Sequence, residues 1–138
     1  SRTVILDCPL LMGPDGMSRG EGPVWLDKDV PMRFGVLPRH GSGDQVEWYS
    51  VPGPGKVCFH VMNAYDDEVS GEVVIVGCCQ PDMTLFDMNV KFADAERLVE
   101  WRIDPKTRSV KERTLSSVAF DFPRVNDRFL GRPFRYGY

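Results

Sequence analysis

Histidine is scarce in this chain: only His40 and His60 occur in 138 residues. No site that needs several imidazoles can be completed from this sequence alone. Cysteine is almost as sparse. Cys8, Cys58, Cys78 and Cys79 form no Cys-x-x-Cys spacing, which removes the usual zinc and dithiol redox signatures. On a strand the neighbours Cys78 and Cys79 point to opposite faces, so four unlinked, buried thiols of a reducing compartment are the plain reading. Apolar runs are short as well. None approaches the ~18 residues of a membrane-spanning helix, and no charged-then-apolar start marks a signal peptide. A lost transit peptide would leave the same pattern, so plastid and cytoplasm both stay open as intracellular locations. Uncompensated positive charge is missing too. The net charge is −3, and the best basic cluster, Arg124, Arg128, Arg132 and Arg135, is diluted by Asp121 and Asp127. This excludes a phosphate-binding nucleic-acid surface. No Ser/His/Asp or Cys/His set for covalent catalysis stands out.

What is present is ordinary folded material. With 42% hydrophobic and 27% charged residues, the composition is that of a globular core, not of a disordered chain. Short runs rich in β-branched and aromatic residues fall at 3–7, 33–37, 46–51, 57–64, 72–79, 97–103, 109–115 and 133–138. Gly, Pro, Asp and Ser cluster between them, as antiparallel strands joined by turns require. Only 82–96 could hold a short helix, and its periodicity is weak. Two hairpins are well signalled. Residues 57–64 and 72–79 flank the acidic turn from Asp66 to Gly71, and 97–103 and 109–115 flank a turn that ends on Arg108. If Arg108 is left-handed, the non-glycine residue costs about 1 kcal/mol there. The expectation is an all-β fold of four-stranded units.

Several signals reduce to turns. Pro54-Gly55-Lys56-Val57 imitates a phosphate loop, but Ser50 stands where the first glycine belongs and Val57 where a hydroxyl would meet the metal. Gly20-Glu21-Gly22 lacks the strand-then-helix setting of a dinucleotide fingerprint. His40 lies in Pro38-Arg39-His40-Gly41-Ser42-Gly43 and reads as an exposed loop residue.

The informative stretch is Cys58-Phe59-His60-Val61-Met62-Asn63-Ala64-Tyr65-Asp66-Asp67, with Asp121-Phe122-Pro123-Arg124-Val125-Asn126 and Gly131-Arg132-Pro133-Phe134-Arg135-Tyr136-Gly137-Tyr138 after it. In that order the segments resemble the Phe-His-x-x-Asn-Ala/Thr-aromatic-acid, acid-Phe-Pro-Arg-x-Asn and Gly-x-x-x-Arg-Tyr-x-Tyr motifs of the carotenoid cleavage oxygenases. Trp101-Arg102-Ile103-Asp104 and the opening Val4-Ile5-Leu6-Asp7-Cys8-Pro9-Leu10 also fit, so the resemblance covers essentially the whole chain.

The resemblance implies a seven-bladed β-propeller, with about two blades' worth of antiparallel strands here. Residues 1–138 then form an internal fragment of a single propeller domain. It implies a non-haem Fe(II) site of four histidines, of which this chain supplies His60. Asp121 takes the place where many members carry a glutamate that hydrogen-bonds a ligand histidine. A carboxylate there would fix the tautomer and raise the basicity of the imidazole. The implied activity is oxidative cleavage by O2 of one conjugated double bond in a carotenoid or apocarotenoid. Stilbene-cleaving relatives, a noncatalytic propeller-derived binding fragment and a generic all-β interaction domain are the alternatives.

Two structural expectations accompany this reading. On a regular strand, Cys58, His60 and Met62 share one face while Phe59, Val61 and Asn63 take the other. Leu10, Leu11, Met12 and Met17 form a broken apolar patch. It either borders a substrate entrance in peripheral contact with a membrane or is buried under another blade.

Overall fold

The computed structural model describes residues 1–20, 23–82, 96–119 and 121–138. Its strands, in chain order, are β1 (Arg2–Asp7), β2 (Leu10–Met12), β3 (Val24–Leu26), β4 (Arg33–Pro38), β5 (Glu47–Ser50), β6 (Val57–Asp66), β7 (Val73–Gln80), β8 (Arg97–Asp104) and β9 (Ser109–Thr114). One short helix, α1 (Pro14–Ser18), sits between β2 and β3. All ladders are antiparallel. β1, β4 and β5 make a three-stranded sheet in that order, β2 and β3 a separate hairpin, and β6-β7-β8-β9 a four-stranded meander. The all-β expectation and both hairpins are met.

The four-stranded sheet is covered on both faces, which explains why β7 reads Val-Val-Ile-Val-Gly-Cys-Cys without polar alternation. Val73, Ile75 and Cys79 point one way, with Val99, Trp101 and Ile103 of β8. They close a core against Met32, Phe34 and Tyr49. The Trp101 ring, fully buried, meets Phe34 edge-on with centroids 5.4 Å apart, and its Nε1 donates to Glu112 at 2.7 Å. Val74 and Val76 point the other way, under Val125 and Phe134 and beside Met62 and Tyr65. The second cover comes from segment 121–138, which lies over β6 and β7.

Turn chemistry locks the meander. Asp67 accepts from the Val69 and Ser70 amides and from Arg102 Nη1 at 3.1 Å, while Arg102 also donates to Glu72 at 2.7 Å. The guanidinium and the two amides hold the Asp67 carboxyl below its ordinary range. Arg108 is left-handed, with φ 54°. Its guanidinium lies over the Tyr49 ring at 5.4 Å and 3.9 Å from Glu47, so it ties the β8–β9 turn to β5 and offsets part of the backbone cost.

One expectation changes, one element is new, and one expectation lies outside the described residues. Residues 133–138 form no strand. They are held by a single bridge, Val125 to Gly137, with Arg124 and Tyr138 exchanging backbone hydrogen bonds of 2.7 and 2.8 Å. The β2–β3 hairpin was not anticipated, because three-residue strands interrupted by Gly13 and Pro14 leave no periodicity to read. The helix expected at 82–96 falls on 83–95, which lie outside the described residues.

Candidate metal-ligand site

β6 carries the site, and it is not a regular strand. Its pairing with β7 slips twice, between Cys58 and His60 and again between Val61 and Asn63. Cys58 stands opposite Cys79 but His60 opposite Cys78, so the first slip sends Cys58 and His60 to different faces. The expected grouping is therefore corrected: Cys58 joins the inter-sheet core, while His60, Met62 and Asn63 turn together toward segment 121–138. Bulges re-aim side chains in this way because an unpaired residue inverts the alternation that follows it. Gly77 permits the distortion. A Cβ there would stand 2.9 Å from the His60 carbonyl oxygen and 3.0 Å from the Cys58 sulfur.

His60 and Asp121, 61 residues apart, meet directly. The imidazole Nδ1 donates to the Asp121 carboxylate, 3.0 Å from Oδ1 and 2.9 Å from Oδ2. The shorter aspartate thus needs no bridging water. In the neutral form of the ring, Nδ1–H committed to the carboxylate leaves the lone pair on Nε2, which has no hydrogen-bond partner among the described residues. The His60 side chain is 40% exposed and Asp121 21%. Phe122 covers the imidazole face at 4.4 Å between ring centroids, from a backbone held left-handed at φ 55°. A non-glycine residue in that region stores about 1–2 kcal/mol, a strain that recurs at functional sites. Phe59, Val61, Val125 and Leu130 join His60 and Phe122 around an open cavity of about 430 Å³.

Two further groups surround Asp121. Burial, the Asp121 charge and a hydrogen bond to it push the Glu96 carboxyl up to about 7. The Cys78 thiol, across the ladder from His60, is pushed up to about 12 by burial first and then by Asp121. Asp121 is thus the acceptor for an imidazole and the neighbour of a carboxyl and a thiol that its charge helps keep protonated to higher pH than usual. Neither Glu96 nor Cys78 belongs to a readable motif, and only the register brings them here. The thiols are structural. All four cysteines are free, Cys58 and Cys79 are buried with strongly raised thiol values, and Cys8 accepts the Cys58 amide at 3.4 Å. His40 is exposed in a turn and does not line the cavity at His60.

The His60 imidazole suits a transition-metal ion as one ligand among several. A neutral imidazole with its outer nitrogen pinned by a carboxylate is the arrangement that metal-bound histidines use. Among the described residues, no three His, Cys, Asp or Glu side chains group to hold a metal on their own. The apolar patch has a definite place. Leu11 and Met12 lie on β2 and Met17 on α1, exposed within this chain by 43%, 81% and 66%. No helix of the described residues is long and apolar enough to cross a membrane.

Comparison with known proteins agrees along the full chain. The family model described as retinal pigment epithelial membrane protein matches residues 1–138. Carotenoid 9,10(9',10')-cleavage dioxygenase 1 of Phaseolus vulgaris is 32% identical over 98% of this chain and 25% of its own length. The chloroplastic 9-cis-epoxycarotenoid dioxygenase of Oryza sativa subsp. japonica is 33% identical over 94% of this chain and 20% of its length. Among solved structures, lignostilbene dioxygenase of Pseudomonas brassicacearum superposes with a TM-score of 0.77 at 26% identity, over 99% of this chain and 30% of that one. An apocarotenoid oxygenase of Synechocystis superposes at 0.76 with 22% identity, over 97% of this chain and 29% of that one, which shows the shared propeller fold. The chain spans about a quarter of the length of the curated relatives it matches. Its paired motifs, its blade-like meander and its full-length match together make it a member of the retinal pigment epithelial membrane protein family, the carotenoid cleavage oxygenases.

Proposed function

We propose that this chain is an internal part of a seven-bladed propeller enzyme, in which His60 is one of four histidine ligands of a non-haem Fe(II). The intact protein would cleave one conjugated double bond of a carotenoid or apocarotenoid with O2, giving two carbonyl products. The observation that carries this reading is the His60–Asp121 pair, because it commits Nδ1–H to a carboxylate and leaves Nε2 as the donor. Iron, when bound, supplies the activation of O2. The residues of this chain do the rest. Asp121 keeps the proton on Nδ1 and holds the ring in one orientation. Phe122 packs on the ring face and limits its rotation. Phe59, Val61 and Leu130 present apolar surface beside it, which favours a polyene over water.

The test is His60→Ala in the intact protein, with bound iron and cleavage of a carotenoid both measured. Loss of iron, or loss of cleavage, is expected, since one of four neutral ligands is gone. Full iron content together with wild-type turnover would refute the assignment. The 138-residue chain alone should bind Fe(II) only weakly, and stoichiometric tight binding by it would count against a shared site. A stilbene substrate is the second reading, favoured by the similarity to a lignostilbene dioxygenase. Turnover of a hydroxystilbene but not of an apocarotenoid would select it.

A further inference from the structure

Asn63 has no role in the chemistry above, yet its amide makes four hydrogen bonds. It is 5% exposed. Its Nδ2 donates to the carbonyl oxygens of Phe129 and Arg132, at 2.9 and 3.1 Å. Its Oδ1 accepts from the Gly131 amide at 2.9 Å and from its own neighbour, the Ala64 amide, at 3.0 Å. An amide has two donors and two acceptor positions, so this one is saturated. Three of its four bonds go to one turn, Phe129 to Arg132, where Gly131 is left-handed at φ 71°.

That turn belongs to the same segment as Asp121 and Phe122. The intervening residues leave little slack. The Asn126 side chain caps the 3-10 turn Asp127–Phe129 at the Arg128 amide, and Val125 bridges to Gly137, whose Cα lies close over Met62. β6 thus grips segment 121–138 at three successive points: His60 on Asp121, Met62 under Gly137, and Asn63 on Phe129 to Arg132. The second slip of β6, between Val61 and Asn63, is what brings Asn63 to this side.

We propose that Asn63 is a positioning residue for His60: by saturating the 129–132 turn it seats segment 121–138 on β6, so that Asp121 and Phe122 meet the imidazole with one tautomer and one ring orientation. The inference rests on the reading of His60 as a metal ligand only for its purpose. Its geometry is independent of metal. Without the Asn63 bonds the turn would keep its capping by Asn126, but the segment would lose its polar anchor at 129–132. The His60–Asp121 bond would then have to hold the segment instead of being held by it.

The test reads the ring itself. With His60→Gln to assign its signals, the ring nitrogens of His60 can be followed in the metal-free intact protein labelled with nitrogen-15 histidine. The native protein should show a single tautomer with the proton on Nδ1 and slow exchange of that proton. Asn63→Ala removes the anchor from β6. Gly131→Val removes it from the other side, because a β-branched residue resists the left-handed conformation while its Cβ meets nothing within 4 Å. Both variants should give a tautomer mixture at His60 and at least a tenfold faster Nδ1–H exchange, with the strand amides of β7 and β8 unchanged. An unaltered His60 signature in either folded variant would overturn the proposal. So would collapse of the whole fold in both, since Asn63 would then be a general stabiliser. In the intact protein, Asn63→Ala should release iron faster than native. Failure of the iron reading would leave the metal-free ring result standing, which separates the two.

Discussion

Asp121→Asn isolates the charge of the carboxylate from its shape. In the native chain both oxygens lie 2.9–3.0 Å from Nδ1 of His60. Asparagine can still accept that proton with its one carbonyl oxygen, but it no longer stabilises positive charge on the ring or increases its donor strength. A hydrogen bond to a charged group contributes about 1.5–3 kcal/mol, and Asp121 is 21% exposed, so screening removes only part of it. Loss of about 1.4–2.7 kcal/mol at the ligand corresponds to 10–100-fold in metal affinity. Chelator competition for Fe(II) in the intact protein measures this directly. Asp121→Ala should fall further, because it also frees the tautomer. Asp121→Glu should restore part of the affinity, since the charge returns at the end of one more methylene. A second readout is internal. The Glu96 carboxyl, raised to about 7 by burial and by Asp121, should titrate lower once the Asp121 charge is gone. Wild-type iron affinity in both the Asn and the Ala variants would refute the reasoning, whatever the cleavage rate.

Stability and surface provide further checks. Trp101→Ala empties the centre of the inter-sheet core and leaves Glu112 without its 2.7 Å donor, so urea unfolding should show a loss of about 3–5 kcal/mol; a loss below 1 kcal/mol would mean that the two sheets do not share this core. Asp67 has a depressed carboxyl, so its contribution is present above the unfolded value near ~4 and lost as pH falls through the lower folded value. Arg102→Met removes the principal cause, and the acid slope of stability below pH ~4 should flatten; an unchanged slope would discount the ion pair. Replacing Leu11 and Met12 with Ser in the intact protein should weaken binding to phospholipid vesicles with stability changed by less than ~0.5 kcal/mol, since both are exposed here. A large fall in melting temperature would instead place them under another blade.

The sequence by itself determined the β-class, the hairpins around Asp67 and Arg108, the family and the candidacy of His60. Those properties are local. They depend on residues that neighbour one another, on turn chemistry and on an ordered pair of motifs, all of which a one-dimensional reading preserves. Arg108 shows how far this reaches: the sequence marked the turn and posed a left-handed backbone only as a condition, and the structure has it at φ 54°. What surrounds His60 was decided by tertiary structure. Strict alternation put Cys58 with His60 and Asn63 on the far face, and two slips of β6 against β7 reversed both placements. A bulge adds one residue to one strand only, so its location depends on the partner strand, where Gly77 leaves room for it. Glu96 and Cys78 reach Asp121 by the same long-range pairing, and Asn63 finds Gly131 68 residues away. Motifs identify the residue that carries the chemistry; the register between strands decides which neighbours tune it.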